Sequence, residues 1–182
     1  KKKQQLKLIS ISQLIEFRHA KECLIKRISS KKIKTEYGEF DFHLFKSVLD
    51  DRQHIALSMG KLNEEPTLVR VHSEYRLSDI FKQIGTQGHN NLDQALKKIA
   101  VARHGVFVYI EQKHGGIQLA KDILKSEQIS PPKMDPRDYG FGAQILAELG
   151  LNKIKILTDN PRKVVGLDAY NLKIVDQISL SS

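Results

Sequence analysis

Short apolar runs alternate along this chain with segments whose apolar residues recur every three or four positions. The run GVFVYI at 105–110 is almost wholly apolar, as in a strand covered on both faces. Residues 91–103 instead place Leu92, Leu96 and Ile99 on one face of a helix. Further strands are predicted at 33–46, 53–59, 67–72, 153–158 and 171–177, and further helices at 77–84, 116–126, 139–149 and 161–168. This alternation predicts an α/β fold with helices packed on a sheet.

The start of the chain is strongly basic. Residues 1–34 contain 11 Lys and Arg against two acidic residues, Glu16 and Glu22, so they hold the whole net charge of +9. Apolar positions from Ile11 to Ile28 recur with helical spacing, which predicts a helix ending near Ser29 with Cys23 buried along it. We therefore divide the chain into a basic segment with a helix at 1–32 and a domain at 33–182.

Composition narrows the functional classes. The content of 40% hydrophobic and 28% charged residues is that of a globular protein, and no apolar run approaches the ~20 residues of a membrane span. No secretory signal is visible, so we predict a cytoplasmic location and no membrane partner. Beyond residue 34 the basic and acidic residues balance, which argues against a nucleic-acid partner for the folded part of the chain.

Three segments carry most of the identifying information: RVHSEY at 70–75, DPRDYGFGAQIL at 135–146 and LTDNPRKVVGL at 157–167. They resemble GTP cyclohydrolase II of riboflavin biosynthesis, and the resemblance covers about residues 35–179. It implies a mixed sheet with helices packed on it and a homodimer. The stretch ISISQLIEFR at 9–18 resembles the inter-domain segment of fused proteins, which implies a dihydroxybutanone-phosphate synthase domain upstream.

The metal ligands that the resemblance implies are missing. The family holds a catalytic zinc with three cysteines in the pattern C-x10-C-x-C, and this chain carries Tyr75, Thr86 and Gly88 at those positions. A zinc ion of this kind generates hydroxide at neutral pH, but neutral phenol and hydroxyl oxygens are poor zinc ligands. We predict that no zinc cofactor is bound. The alternative is a metal site built from histidines, for which the candidates are His72, His89 and His114.

The phosphate end of the site departs from the family as well. The family motif QEGRGIGL reads QKHGGIQL at 112–119, so that the arginine implied to meet the triphosphate becomes Gly115. Lys113 cannot reproduce the bidentate geometry of that arginine. The backbone N–H groups of Gly115 and Gly116 remain as a weak anion site at an expected helix start. Between Leu119 and Asp135 a stretch of the family's active-site wall is absent.

Other family positions are kept. The resemblance implies that Asp135 was a proton acceptor and Arg137 a nucleophile toward the α-phosphate, and we interpret both as vestiges here, although Asp135 can equally cap the following helix. The positions implied to bind nucleotide are Arg70, Val71, His72, Ser73, Glu74, Asn91, Thr158 and Lys163.

Three functional hypotheses follow. The first is a degenerate cyclohydrolase-II-like domain, inactive in GTP ring opening, which has a structural, dimerisation or regulatory role for a fused synthase. The second is an active GTP cyclohydrolase II with a non-standard metal site. The third is a metal-independent sensor of GTP or a related nucleotide.

Overall fold

A single sheet of seven strands organises the protein in the computed structural model. The structure describes residues 9, 13, 17, 18, 21–62, 65–117, 136–159 and 170–181, with the backbone alone at 136–139. The strands in chain order are β1 (Ile25–Thr35), β2 (Gly38–Ser47), β3 (Gln53–Met59), β4 (Thr67–Ser73), β5 (Gly105–Ile110), β6 (Lys153–Leu157) and β7 (Lys173–Ile178).

The sheet has an antiparallel half and a parallel half. Its strand order is β1-β2-β3-β5-β4-β6-β7. Strands β1, β2, β3 and β5 pair antiparallel, whereas β5, β4, β6 and β7 pair parallel. The predicted α/β fold with a mixed sheet is confirmed.

Two helices cover opposite faces of this sheet. Helix α1 (Arg76–Asp79) is a single turn, α2 spans Gly88–Ala102, α3 spans Pro136–Glu148, and a 3-10 turn covers Lys113–Gly116. Ile99 of α2 packs in one buried cluster with Phe107, whereas Phe141 and Ile145 of α3 pack in a second cluster with the alternate residues of β5. The prediction that 105–110 is covered on both faces is therefore confirmed.

The helix predicted to run to Ser29 is wrong over its second half. Residues Ile25–Thr35 form β1, which pairs with β2 from Ile25 opposite Ser47 to Thr35 opposite Gly38. The backbone N–H and C=O groups of β1 are satisfied by pairing with β2. The helical spacing of apolar residues could not predict this pairing, because the partner strand lies farther along the chain. Cys23 is exposed rather than buried. The predicted boundary between residues 32 and 33 falls inside β1.

Two other elements are shorter than predicted. The strand expected at 33–46 is broken between Thr35 and Gly38, where Gly38 has φ +125°. The helix expected at 77–84 ends at Asp79, and Lys82 at φ +53° lies in the left-handed region. The helices predicted at 161–168 and over most of 116–126 fall outside the described residues.

Among the described residues, the structure contains no helix that is both long enough and apolar enough to cross a membrane.

Candidate functional site

Several of the predicted site residues lie at or just beyond the carboxyl ends of the parallel strands. Ser73 ends β4, the 3-10 turn follows β5, and Thr158 follows β6, where its N–H donates to the carbonyl of Ile178 at 2.8 Å. In open α/β sheets, ligands bind in the crevice outside the carboxyl ends of the strands. The fold thus places this edge where small-molecule chemistry is expected.

Asp79 is the centre of a buried hydrogen-bond cluster at this edge. One carboxylate oxygen lies 3.0 Å from His72 Nε2, and the other accepts from the N–H of Tyr75 at 3.0 Å and from the hydroxyl of Tyr109 at 2.8 Å. The Asp79 carbonyl lies 3.1 Å from His89 Nδ1. The side chains of His72 and Asp79 are 5% and 3% exposed, so this polar cluster is held away from water.

The contacts within this cluster shift the pKa values of Asp79 and Tyr109. Burial by itself raises the pKa of Asp79, but the hydrogen bond and charge of His72 and the hydrogen bonds from Tyr75 and Tyr109 hold that pKa below its ordinary value. Burial raises the pKa of Tyr109, and the neighbouring Asp79 carboxylate raises it further. Tyr109 therefore stays neutral and acts as a hydrogen-bond donor.

The three positions at which the resemblance implies thiolates make other contacts here. Tyr75 donates its hydroxyl to Gln83 Oε1 at 2.8 Å. Thr86 Oγ1 lies 2.7 Å from Ser78 Oγ and 2.7 Å from the carbonyl of Gln83. A Cβ atom built at Gly88 would lie 2.6 Å from Ser78 Oγ and 2.8 Å from Asp79 Oδ1. The side chain of Ser78, which is 1% exposed, thus fills the space that a larger residue 88 would need.

This donor set does not fit a zinc ion. A phenol, a hydroxyl and a residue without a side chain supply no anionic sulfur or imidazole nitrogen. Among the described residues, no group of three His, Cys, Asp or Glu side chains could hold a metal ion. His72 and His89 both contact Asp79, whereas His114 lies exposed on the 3-10 turn at φ +57°.

A second cluster surrounds Glu74. One of its carboxylate oxygens accepts from Arg76 Nε at 3.0 Å, and the other accepts from the N–H of Gln112 at 2.9 Å. A Cβ atom at Gly115 would lie 2.3 Å from Arg76 Cδ and 2.4 Å from Arg76 Nε. A Cβ atom at Gly116 would lie 2.2 Å from the Glu74 carbonyl oxygen. The two glycines therefore let the turn after β5 close onto the chain that follows β4.

The expected anion site on the N–H groups of Gly115 and Gly116 needs correction. Both glycines are buried in the 3-10 turn, at φ +66° and +69°, rather than exposed at the start of an α-helix. The N–H of Gly115 donates to the carbonyl of Gln112 at 3.0 Å. That donor is occupied within the turn, because the chain here folds back on itself.

Strand β4 divides the predicted nucleotide-binding stretch between the two faces of the sheet, since successive side chains of a strand point to opposite sides. Val71 packs in the cluster beneath α3, where its Cγ1 lies 3.0 Å from the Cβ position of Gly142. His72 stacks on Tyr109 on the other face, with the ring centroids 5.5 Å apart. Arg70 Nη1 donates to the carbonyl of Leu157 at 2.9 Å and so ties β4 to β6.

The remaining predicted residues are spread more widely. Ser73 pairs with Ile110 in the β4–β5 ladder, and Asn91 lies half-buried in the second turn of α2. Asp135 and Lys163 lie outside the described residues. Arg137 lies in α3, but its side chain is not among those described.

Sequence reasoning missed Asp79, Arg76 and Tyr109. Asp79 lies four positions after Tyr75, where its carboxylate reaches back to the N–H of that residue. This spacing could have suggested a local capping interaction. Tyr109 belongs to a strand that was interpreted only as apolar, although a buried tyrosine hydroxyl usually needs a partner.

Comparison with known proteins identifies the family of this chain. The family described as GTP cyclohydrolase II matches residues 26–179. The riboflavin biosynthesis protein RibBA of Aquifex aeolicus is 38% identical over 194 residues, which cover 98% of this chain and 48% of that protein. RibBA of Bacillus subtilis is 36% identical over 193 residues, with 98% and 48% covered.

A solved structure is also similar. It is the crystal structure of RibBX, a two-domain 3,4-dihydroxy-2-butanone 4-phosphate synthase from A. baumannii. It has a TM-score of 0.64 and 28% sequence identity, and the match covers 93% of this chain and 44% of that one. The chain thus spans about half the length of the relatives it matches. The extent of these matches shows that the chain belongs to the GTP cyclohydrolase II family.

Proposed function

We propose that this chain is a GTP cyclohydrolase-II-like domain of a riboflavin-biosynthesis protein that no longer opens the GTP ring. Its role is to support, by structure, dimerisation or regulation, a dihydroxybutanone-phosphate synthase to which it is fused. The similarity to RibBA proteins and to a two-domain synthase, each about twice as long as this chain, supports the fused partner. The cytoplasm is the location expected for this pathway domain.

The observation that carries the loss of hydrolysis is the packing at the three ligand positions. Replacing a thiolate by Thr86 or Tyr75 removes a donor, but a hydrogen-bonded side chain could still rotate away. Gly88 is different, because the buried Ser78 hydroxyl lies 2.6 Å from the place where its Cβ would be. The close packing beside residue 88 therefore supports the loss of a metal ligand at this position.

The test is direct. The purified chain is assayed for bound zinc by mass spectrometry and for formate released from GTP, beside a family member that keeps the three cysteines. We expect less than stoichiometric zinc and no formate. Stoichiometric metal together with turnover would overturn the proposal.

Introducing cysteines at the three positions makes the test more specific. The triple variant Y75C/T86C/G88C is compared with the quadruple variant that also carries Ser78→Gly. The matched control is Y75S/T86S/G88S, which has side chains at the same three positions but supplies no thiolate. We expect more zinc uptake by the quadruple variant than by the triple variant, because only the quadruple variant lacks the two Ser78 atoms that lie beside residue 88. Equal zinc uptake by the triple variant would show that the space was already open.

The second candidate is an active cyclohydrolase with a non-standard metal site. Its candidate ligands in the described part of the chain are His72, which contacts the Asp79 carboxylate, and His89, which contacts the Asp79 backbone carbonyl. Under this alternative, His72→Ala and His89→Ala would each abolish both metal content and formate release. His104→Ala, whose imidazole lies beside Thr67 and Glu65 instead, is the matched control.

The third candidate is a nucleotide sensor that needs no metal. Thr158 follows the carboxyl end of β6, and Arg70, from the middle of β4, reaches that end by donating from Nη1 to the carbonyl of Leu157. Calorimetric titration with GTP tests it. Saturable heat without formate release would favour the sensor, and no heat at millimolar GTP would remove it.

A further inference from the structure

The backbone that leads into β1 is held in place by two other parts of the domain. The buried amide of Gln144, in α3, accepts the N–H of Leu24 through Oε1 at 2.8 Å and donates from Nε2 to the carbonyl of Glu22 at 2.8 Å. The Leu24 carbonyl accepts the N–H of Val48 at 2.9 Å, and the Leu24 side chain is buried. The chain at residues 22–24 is therefore fixed both to α3 and to the loop after β2.

An open groove with apolar walls lies beside this entry point. Ile28, Val48 and Leu49 line the groove, and these side chains are 51%, 58% and 51% exposed. The volume of the groove is about 500 Å³. Large apolar side chains that are exposed together, rather than singly, are typical of a surface that contacts another protein. Because Val48 is hydrogen-bonded to Leu24, this surface lies where the chain enters the domain.

The rim of the groove carries both signs of charge. Lys26 and Lys46 supply the cations, Asp50 and Asp51 supply the anions, and Lys46 Nζ lies 3.2 Å from Asp51 Oδ1. A nucleic acid would need an excess of basic groups here, because its backbone is a dense row of negative charges. An apolar centre inside a polar rim of mixed charge is instead typical of contacts between proteins.

We propose that this groove is the docking surface for the dihydroxybutanone-phosphate synthase domain expected upstream of the chain. The inference rests on the proposed function, because that function supplies the synthase. A domain joined ahead of Glu22 is kept near the groove by the fixed backbone, so its effective concentration at Val48 and Leu49 is high. Docking within one polypeptide also avoids much of the entropy that two separate molecules lose on association.

A second copy of this chain is a poorer occupant of the groove. A two-fold contact centred on the groove would bring the same residues of both copies together. The two entry points at Glu22 would then lie close to each other, and both attached synthase domains would have to occupy the same region. The position of the entry point therefore favours the attached domain.

The test uses the full-length polypeptide that contains this chain, and its length is first measured by mass spectrometry. The variant V48S/L49S removes two apolar side chains from the groove. The matched control is I84S/V101S, which removes two apolar side chains that are 98% and 87% exposed elsewhere on the domain. Circular dichroism of each variant checks that the fold is kept, as expected for substitutions at exposed positions.

Two measurements report on docking: the rate of proteolytic cleavage ahead of Glu22, and the radius of gyration from small-angle X-ray scattering. We expect V48S/L49S to be cleaved at least about tenfold faster and to have a larger radius, since burying each apolar side chain shifts the docking equilibrium by roughly tenfold or more. The control I84S/V101S should match the original polypeptide in both measurements.

The outcomes that would overturn the proposal are distinct. An unchanged cleavage rate and radius for V48S/L49S would remove the docking surface but leave the fused synthase in place. Unchanged cleavage with a halved particle mass by light scattering would assign the groove to a second copy. A polypeptide no longer than these 182 residues would remove the synthase itself, and with it both the proposed partner and its docking. Zinc and formate assays report separately on hydrolysis.

Discussion

Replacement of Gly88 by alanine is the most direct probe of the closed metal position. The added Cβ would lie 2.6 Å from Ser78 Oγ, 2.8 Å from Asp79 Oδ1 and 2.9 Å from Ser78 Cβ. Ser78 is buried at 1% exposure, and the Asp79 carboxylate is fixed by donors from three residues, so neither neighbour can withdraw easily. We therefore expect the substitution to destabilise the fold.

The magnitude follows from two opposing effects. Inserting a methyl group into a well-packed site costs about 1–3 kcal/mol. Glycine to alanine in a helix otherwise gains up to about 1 kcal/mol, and less at its first residue, which is where Gly88 lies in α2. The net expected loss is about 1–2 kcal/mol, or roughly 2–8 °C in melting temperature for a domain of this size.

The assay is thermal and urea denaturation with a double-mutant cycle. Asn90→Ala, at an exposed position in the same helical turn, is the control and should be close to neutral. Ser78→Gly should relieve part of the cost of Gly88→Ala, so that the two substitutions couple favourably. Relief is partial because Asp79 Oδ1 remains at 2.8 Å. A neutral or stabilising Gly88→Ala would refute the reasoning, since the space beside residue 88 would then be open.

Two further predictions concern neighbouring contacts. Gly116→Ala should destabilise the fold more than Gly85→Ala does. Both glycines have positive φ, but only at 116 would the added Cβ meet a backbone atom, the Glu74 carbonyl oxygen at 2.2 Å. Equal losses of melting temperature in the two variants would contradict this prediction. Asp79→Asn should make the free energy of unfolding fall less steeply as the pH is lowered into the acid range. A lowered folded-state pKa adds stability above the unfolded pKa of about 3.9 that is lost as pH falls through the folded value. Urea midpoints from pH 6 to pH 2 measure this effect, and parallel curves for both proteins would count against it.

Several features of the fold were predictable because they are local. The continuous apolar run at 105–110 required a strand buried on both faces, and the spacing of Leu92, Leu96 and Ile99 required a helix with one buried face. The absence of cysteine at 75, 86 and 88 was likewise visible from the sequence, since the chemistry of a ligand is a property of the residue itself. Family membership rested on the same short segments.

Other features could not be found in this way. The stripe from Ile11 to Ile28 fitted a helix, but residues from Ile25 onward satisfy their backbone groups by pairing with β2. Local periodicity carries no information about a partner strand that lies beyond a turn. The pairing of these residues with that strand therefore determined their structure against the helical pattern.

The site itself was decided by tertiary structure. The resemblance to the family predicted from the sequence that three zinc ligands and a phosphate-facing arginine are missing, because each loss is a change of residue type. Only the parallel pairing of β4 with β5 brings Arg76 against Gly115, and only the packing of α1 on α2 brings Ser78 against Gly88. Such contacts join residues that are distant in sequence, and their distances depend on how strands and helices pack rather than on any local pattern.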